Sequence, residues 1–395
     1  MKAALRVYAV FAVLAVAIAG VAVATTVVPA SSGFTQTEAL ARAEAQALLD
    51  AHDASSLSVA LVAGDEVAWS GTFGAVDAAG TAPTGETMYG VGSVSKVVTA
   101  IAVMQLVDEG LVDLDAPVAD YVTDFRMLDP EYTRITVRML LSHSAGVPGT
   151  DYADGRTTEP YAGYPEQMLA QLAQSHLKST PGSLAVYCND CFTLAGLVVE
   201  RVSGMPFTEY VRTHVLEPLG MTRSMYATAP LEPGEYAPVI VDGVPDPFEY
   251  LNINAAGGLL SNPEDLARLA AALLGDGTRQ GVEMLSAAAV EEMGRDQIVG
   301  TLEPVVVPAF QYGLGWDTVT EPGLAAMGVR GWAKGGDTVD YHASFMLAPD
   351  HGLAIIVTAA GQQVGSPMLG TLAQSILRSA ISERDGAPAP AQVPG

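Results

Sequence analysis

Apolar residues recur along this chain in two rhythms, and their order predicts a layered arrangement of strands and helices. From Thr37 to Asp50 they follow helical spacing with an alanine-rich face. Leu57–Val62 and Glu66–Ser70 are short β-prone runs joined by Ala63-Gly64-Asp65, which predicts an antiparallel hairpin after the helix. Helical spacing returns from Val97 to Glu109, where Gly110 is a stop signal. A long helix- and loop-rich middle then runs to about residue 300. It holds helical patterns at Gln167–Leu177, Phe192–Val202 and Pro263–Leu274, the last capped by Asn262 or Ser261 and ended by Gly275-Asp276-Gly277. Strand-like runs reappear at Ala343–Leu347 and Leu353–Thr358 around the turn Pro349-Asp350-His351-Gly352, and Leu369–Ile381 reads as a closing helix. Strands at both ends with helices between predict an α/β (α+β) fold. It would be an antiparallel sheet built from both chain ends with flanking helices, plus an inserted, mainly helical subdomain.

The flanks read differently. Lys2 and Arg6 precede an uncharged apolar run, Val7 to Ala24, and Ala22-Val23-Ala24 offers a small-residue cleavage site, so residues 1–30 have the shape of an export signal. Extended through Val28, the same run (residues 7–28) is long enough for an uncleaved membrane anchor. Either outcome places the folded part outside the cytoplasmic membrane, secreted or anchored at its outer face. Ser31–Gln36 reads as a linker, residues 31–384 as the folded domain, and 385–395, rich in Pro and Ala, as a disordered tail.

Composition narrows the function. Half of the 395 residues are apolar and the formal charge is −25, which allows a large core and excludes the basic footprint that nucleic acid requires. Lysine is almost absent: Lys2, Lys96, Lys178 and Lys334 are the only four. The two cysteines, Cys188 and Cys191, have a spacing that suits a disulfide, a pair of buried free thiols or a metal half-site. No second Cys or His pair accompanies them and no His-Glu-x-x-His occurs, so no metal is expected. No organic cofactor is expected either.

One of the scarce lysines sits in Gly92-Ser93-Val94-Ser95-Lys96, just before an apolar helical run. Residues i and i+3 share a helix face, so Lys96 would lie beside the Ser93 hydroxyl, near the positive end of the helix dipole. Serine needs a base to become a nucleophile, and a lysine depressed by burial and nearby cations can be that base. Ser175-His176-Leu177-Lys178 repeats the spacing, but at the end of a helical pattern and just before Thr180-Pro181-Gly182, so it reads as a solvated helix end.

Three further stretches complete a constellation: Pro181–Asn189, which ends in Tyr187-Cys188-Asn189 and runs into an apolar helix; Lys334-Gly335-Gly336, shortly before the C-terminal strands; and Leu140-Leu141-Ser142-His143-Ser144-Ala145-Gly146-Val147-Pro148. Ser-x-x-Lys, Tyr-x-Asn and Lys-x-Gly, in that order, resemble the serine β-lactamase and penicillin-binding superfamily. The tyrosine in the middle motif is similar to the class C β-lactamase branch, which includes D-alanyl-D-alanine peptidases, D-aminopeptidases and family VIII esterases. Leu111–Val118, Ile135–Leu141, Gly257–Ser261 and Tyr312–Trp316 also resemble segments of that family, so the likeness spans roughly residues 37–380.

The resemblance implies roles. Ser93 would be the acylated nucleophile and Lys96 its proton partner. Tyr187, acidified by Lys96 and Lys334, would act as a base in acylation and deacylation. Asn189 would bond the substrate's acyl amide and hold Lys96. The backbone N–H groups of Ser93 and Asp337 would form the oxyanion hole, each worth about 3 kcal/mol of barrier. Gly335 and Gly336 would line the substrate. Taken singly, Tyr187 reads as a core anchor, Asn189 as a helix N-cap and Lys334 as a surface charge. His143 reads as structural, and His342 and His351 as strand and turn residues.

Two departures stand out: Gly335 replaces the threonine usual in β-lactamases, which weakens carboxylate binding, and Cys188 replaces a small residue. The expectation is an exported serine hydrolase acting on a small ester, amide or D-peptide. The rival is a penicillin-binding or sensor protein on the same fold that acylates and stalls.

Overall fold

The computed structural model describes residues 33–386 apart from 53, 78, 150–154, 233, 235, 242–243 and 299–310. The expected leader, residues 1–30, and residues 387–395 of the tail lie outside the described residues. Among the described residues no helix is long and apolar enough to cross a membrane.

Five strands form one antiparallel sheet: β1 (Ser56–Ala63), β2 (Glu66–Gly74), β3 (Trp332–Asp337), β4 (Tyr341–Ala348) and β5 (Leu353–Ala360), in the order β3-β4-β5-β1-β2. The two ends of the chain meet where β1 pairs with β5, from Ser56 opposite Ala360 to Ala63 opposite Leu353. Alternation along β1 divides the core. Leu57, Val59 and Leu61 pack with one apolar cluster and Ala60 and Val62 with the other. Helices α1 (Thr35–His52) and α6 (Ser366–Arg384) contribute to the first cluster. The second cluster takes in α2 (Ser95–Asp108), α4 (Asn189–Ser203) and α5 (Pro263–Leu274), with α3 (Tyr164–Leu172) further out. The expected sheet from both ends and the helical insertion are therefore both present.

Three boundaries differ from expectation, each for a local reason. The proposed linker at 31–36 gives way to α1 at Thr35. Phe34 is buried, and the Glu383 carboxylate of α6 accepts from the N–H groups of Gln36 (3.0 Å) and Thr37 (2.9 Å), satisfying donors that a free helix start would leave open. Helix α3 stops at Leu172 rather than Leu177. The Ser175 hydroxyl bonds back to Gln171 O at 2.8 Å, and Asp129 takes the N–H of Leu177 at 2.6 Å. The Lys334 stretch, too rich in glycine to read as a strand, is edge strand β3.

Helix α2 is buried almost all round, with Val97, Val98, Ile101 and Val103 fully enclosed. Each such side chain contributes roughly 1.5–3 kcal/mol of burial. That packing holds the turn before the helix, and with it Ser93, in one place.

Candidate active site

Ser93 sits in a single 3₁₀ turn, Gly92–Val94, immediately before α2, and Lys96 lies in the first turn of α2 itself. Two glycines set the approach of this turn to β3. Gly92 has φ +49°, and a Cβ there would stand 2.8 Å from the Asp337 nitrogen. A Cβ on Gly336 would collide with Val91 O and come within 2.9 Å of the Ser93 nitrogen. Alternation along the edge strand fixes the direction of its N–H groups. Ala333 N–H donates outward to Thr318 O (2.9 Å) and Gly335 N–H to Asp317 Oδ2 (3.1 Å), so the Asp337 N–H, two residues on, points to the same outer edge. The two close approaches bring the Ser93 and Asp337 backbones together at this edge.

Lys96 is fully enclosed. Its Nζ lies 2.9 Å from Ser93 Oγ, 2.7 Å from Asn189 Oδ1 and 2.7 Å from Ala256 O. The Ala256 carbonyl is held in reach because the turn Asn254–Gly257 is tied to α2: Thr99 Oγ1 donates to Ala255 O at 2.6 Å and Leu259 N–H to Ser95 Oγ at 3.1 Å. Burial pulls the Lys96 amine well below the ordinary lysine value of 10.5, the charge of Lys334 pulls it further, and Asp317 pushes back less.

A neutral amine has two N–H groups and one lone pair. The Asn189 and Ala256 oxygens can only accept, so they take both N–H groups, and the lone pair is left facing the Ser93 hydroxyl.

Lys334 is equally buried and has the opposite fate. Its Nζ donates to both oxygens of Asp317 (2.8 and 2.9 Å), to Gly335 O (2.9 Å) and to the Tyr187 hydroxyl (3.2 Å). Burial works against its charge, but Asp317 and Tyr187 outweigh it and the group is raised above 10.5. Asp317 was not singled out in the sequence. The only signal was its place directly after the family-like Tyr312–Trp316 segment.

Tyr187 lies between the two lysines, with Lys96 Nζ 4.8 Å and Lys334 Nζ 5.1 Å from its ring centroid. The residue is 38% exposed, and its hydroxyl is bonded to Lys334 and to Ser93. The expected acidification is absent. Burial raises the phenol above 10.0, Lys334 lowers it less, and Asp317 cancels part of what Lys334 supplies.

His143, read from the sequence as structural, touches this tyrosine directly. Its ring stacks on Tyr187 at 4.4 Å, its Nδ1 accepts the Cys188 N–H at 3.1 Å, and its carbonyl accepts the Val186 N–H at 2.9 Å. One residue therefore holds three consecutive positions. Burial, helped by the charge of Lys334, pulls the imidazole well below 6.5 and keeps it neutral. The Cys188 bond leaves its proton on Nε2, which has no hydrogen-bond partner among the described residues.

Asn189 is the first residue of α4, not its cap. Cys188 takes the cap position, its Sγ accepting the Cys191 N–H at 3.1 Å, and the Asn189 side chain is released to Lys96. The Cys188 and Cys191 sulfurs are 2.19 Å apart, at bonding distance, so a loop closes around Asn189 and Asp190. Among the described residues no three His, Cys, Asp or Glu side chains converge as a metal-ligand set. Ser175 and Lys178 stand outside this site, in the turns after α3, where Lys178 N–H donates to Gly146 O.

The chain as a whole is similar to known proteins. A family model described as Beta-lactamase matches residues 41–375. Penicillin-binding protein 4 of Amycolatopsis lactamdurans is 33% identical over 270 residues, 65% of this chain and 69% of that protein. The D-alanyl-D-alanine-carboxypeptidase/endopeptidase AmpH of Escherichia coli K12 is 28% identical over 190 residues, 47% of this chain and 49% of its own length. An octameric penicillin-binding protein homologue from Pyrococcus abyssi superposes with a TM-score of 0.71 at 23% identity, covering 91% of this chain and 79% of that one.

Proposed function

This chain belongs to the β-lactamase family, and on that premise we propose that it is an exported serine hydrolase that acts through an acyl-enzyme at Ser93 on a small ester or amide. One observation carries the reading. Lys96 is buried, held by two acceptors and aimed at Ser93 Oγ from 2.9 Å, which is the geometry of a neutral amine acting as base.

In the proposed reaction Ser93 Oγ attacks the substrate carbonyl while its proton passes to Lys96 Nζ. The developing oxyanion is met by the Ser93 and Asp337 N–H groups. The leaving group takes a proton from the Tyr187 hydroxyl, and Lys96 returns its extra proton to that tyrosine. Water then attacks the acyl carbonyl as Lys96 takes its proton, and the bond to Ser93 Oγ breaks as Lys96 returns that proton to the serine oxygen, releasing the acid and restoring the neutral amine. With the phenol raised rather than lowered, Tyr187 serves here as a proton donor and relay, and the base is Lys96. Lys334, fixed as a cation by Asp317, holds the Tyr187 oxygen in place. Export rests on the sequence of residues 1–30 alone.

Mass spectrometry of the intact protein after exposure to activated esters, β-lactams and D-peptides tests this. The expected result is an adduct on Ser93, steady turnover with at least one ester or amide, and no adduct in Ser93→Ala. Labelling at Ser175 would contradict the assignment. One equivalent of adduct with no further turnover would favour a stalled penicillin-binding or sensor protein.

A further inference from the structure

The wall of the cleft formed by β3 is already supplied with anions by the chain itself. The Asp337 carboxylate accepts from Ser366 N–H at 2.6 Å and from the Ser366 hydroxyl at 2.5 Å, at the first residue of the 19-residue helix α6. A helix start of that kind is where a ligand's negative group would be held, and here an internal carboxylate fills it.

The nearby positive charges are matched in the same way. Lys334 gives two of its bonds to Asp317. The His342 ring lies between Asp337 Oδ1 at 2.7 Å and Gly361 O at 3.0 Å, so it occupies one side of that carboxylate. Gly335 adds no donor. A Cβ there would stand 2.9 Å from Ser366 Oγ, whose own hydrogen already goes to Asp337. Beyond the β3–β4 turn, a cavity of about 270 Å³ is lined by Asp246, Glu249 and Asp340, with Arg156 paired to Glu249 at 3.5 Å.

We infer that the acyl-transfer site takes uncharged or amine-bearing esters and amides and excludes substrates that carry a carboxylate toward β3, with Asp337 as the residue that sets this preference. The inference rests on the hydrolase reading and names its substrate class. A substrate carboxylate would meet a helix start already filled by the Asp337 carboxylate, and like charges brought together at a partly desolvated site cost affinity.

Three esters provide the test: 4-nitrophenyl butyrate (uncharged), mono-4-nitrophenyl glutarate (carboxylate on the acyl side) and 5-butyryloxy-2-nitrobenzoate (carboxylate on the leaving side). The readout is the ratio of kcat/KM for each anionic ester to that of the uncharged one, taken within a single protein sample so that partial unfolding cancels. Asp337→Asn should raise the ratio for at least one anionic ester by about 10-fold or more over the natural protein, while Asp337→Glu should leave it low. In the natural protein the same ratio should rise with added salt, because screening weakens the repulsion. Turnover of the uncharged ester with a ratio that neither Asp337→Asn nor salt moves overturns this inference alone. No turnover of any ester by the natural protein would overturn the hydrolase reading and this inference together.

Discussion

Lys96 and Lys334 flank the same tyrosine ring, 4.8 and 5.1 Å from its centroid, and both are closed off from solvent. Lys96 is surrounded by a hydroxyl and two neutral carbonyl oxygens and is pulled well below the ordinary lysine value. Lys334 faces a carboxylate and is raised above it. Burial is common to both, so the partner decides the charge. A neutral acceptor cannot repay the desolvation of an ammonium, whereas a carboxylate at 2.8 Å can. The site thereby makes a base and a fixed cation from the same side chain.

The difference fixes opposite signs for pH. Activity should rise with pH through the depressed Lys96 value, as the amine loses its proton, and fall again only where Lys334 or Tyr187 gives one up. For stability, Lys334 contributes below 10.5 and loses that contribution as pH rises through its raised value. Lys96 binds fewer protons folded than unfolded, so its contribution grows with pH from its depressed value up to 10.5.

Breaking the comparison on the Lys96 side should have the largest effect. Lys96→Met keeps most of the buried volume and removes the base, and turnover of an activated ester should fall by about 10³–10⁴-fold. A loss under about 10-fold would mean that some other group deprotonates Ser93.

Tyr187→Phe should cost on the order of 100-fold in turnover by removing the proton relay from Lys96 to the leaving group. A near-normal rate would make that tyrosine a packing residue.

On the other side, Asp317→Asn takes away the partner that keeps Lys334 charged. The alkaline fall in activity should move to lower pH, and the protein should lose about 3 kcal/mol in denaturant unfolding from an unpaired buried ammonium. An unmoved alkaline limb would show that Lys334 does not depend on Asp317.

His143→Leu should reduce turnover by about 10-fold through a displaced Tyr187. His143→Asn, which can still accept the Cys188 N–H and tolerates the φ of +59° found there, should recover part of it. Equal losses in the two variants would assign the effect to ring stacking alone.

Reduction of Cys188 and Cys191 should change turnover a few-fold and the melting temperature by only a few degrees, because so short a loop restrains the unfolded chain little. Two free thiols in untreated protein would remove the disulfide from the account.

Much of this was legible in the sequence. Strand–helix order indicated the sheet from both ends, and Ser261 or Asn262 before Pro263 marked the start of α5, with Asn262 the actual cap, because caps are local chemistry. The choice between the two Ser-x-x-Lys copies was also legible. A serine before a buried helix and a serine after an exposed one differ in the residues that follow them. What stayed hidden is set by contacts distant in sequence. Asp317 lies 17 residues from Lys334, and the charge of Lys334 follows from it; it also offsets part of what Lys334 does to the buried Tyr187 phenol. The helix start at Thr35 depends on Glu383, 346 residues away from Thr37. Strand β3 is held by its pairing with β4, not by propensity, so its glycines masked it.

The scarcity of lysine makes the central claim directly measurable. With lysine labelled with ¹³C at Cε, the chain gives at most four side-chain signals, from Lys2, Lys96, Lys178 and Lys334, and Lys96→Met and Lys334→Met assign the two that matter. Titrated by NMR, Lys96 should change protonation well below 10.5 while Lys334 stays charged beyond it. Lys96 titrating at or above Lys334 would contradict the account, because Ser93 would then face an ammonium with no lone pair to take its proton.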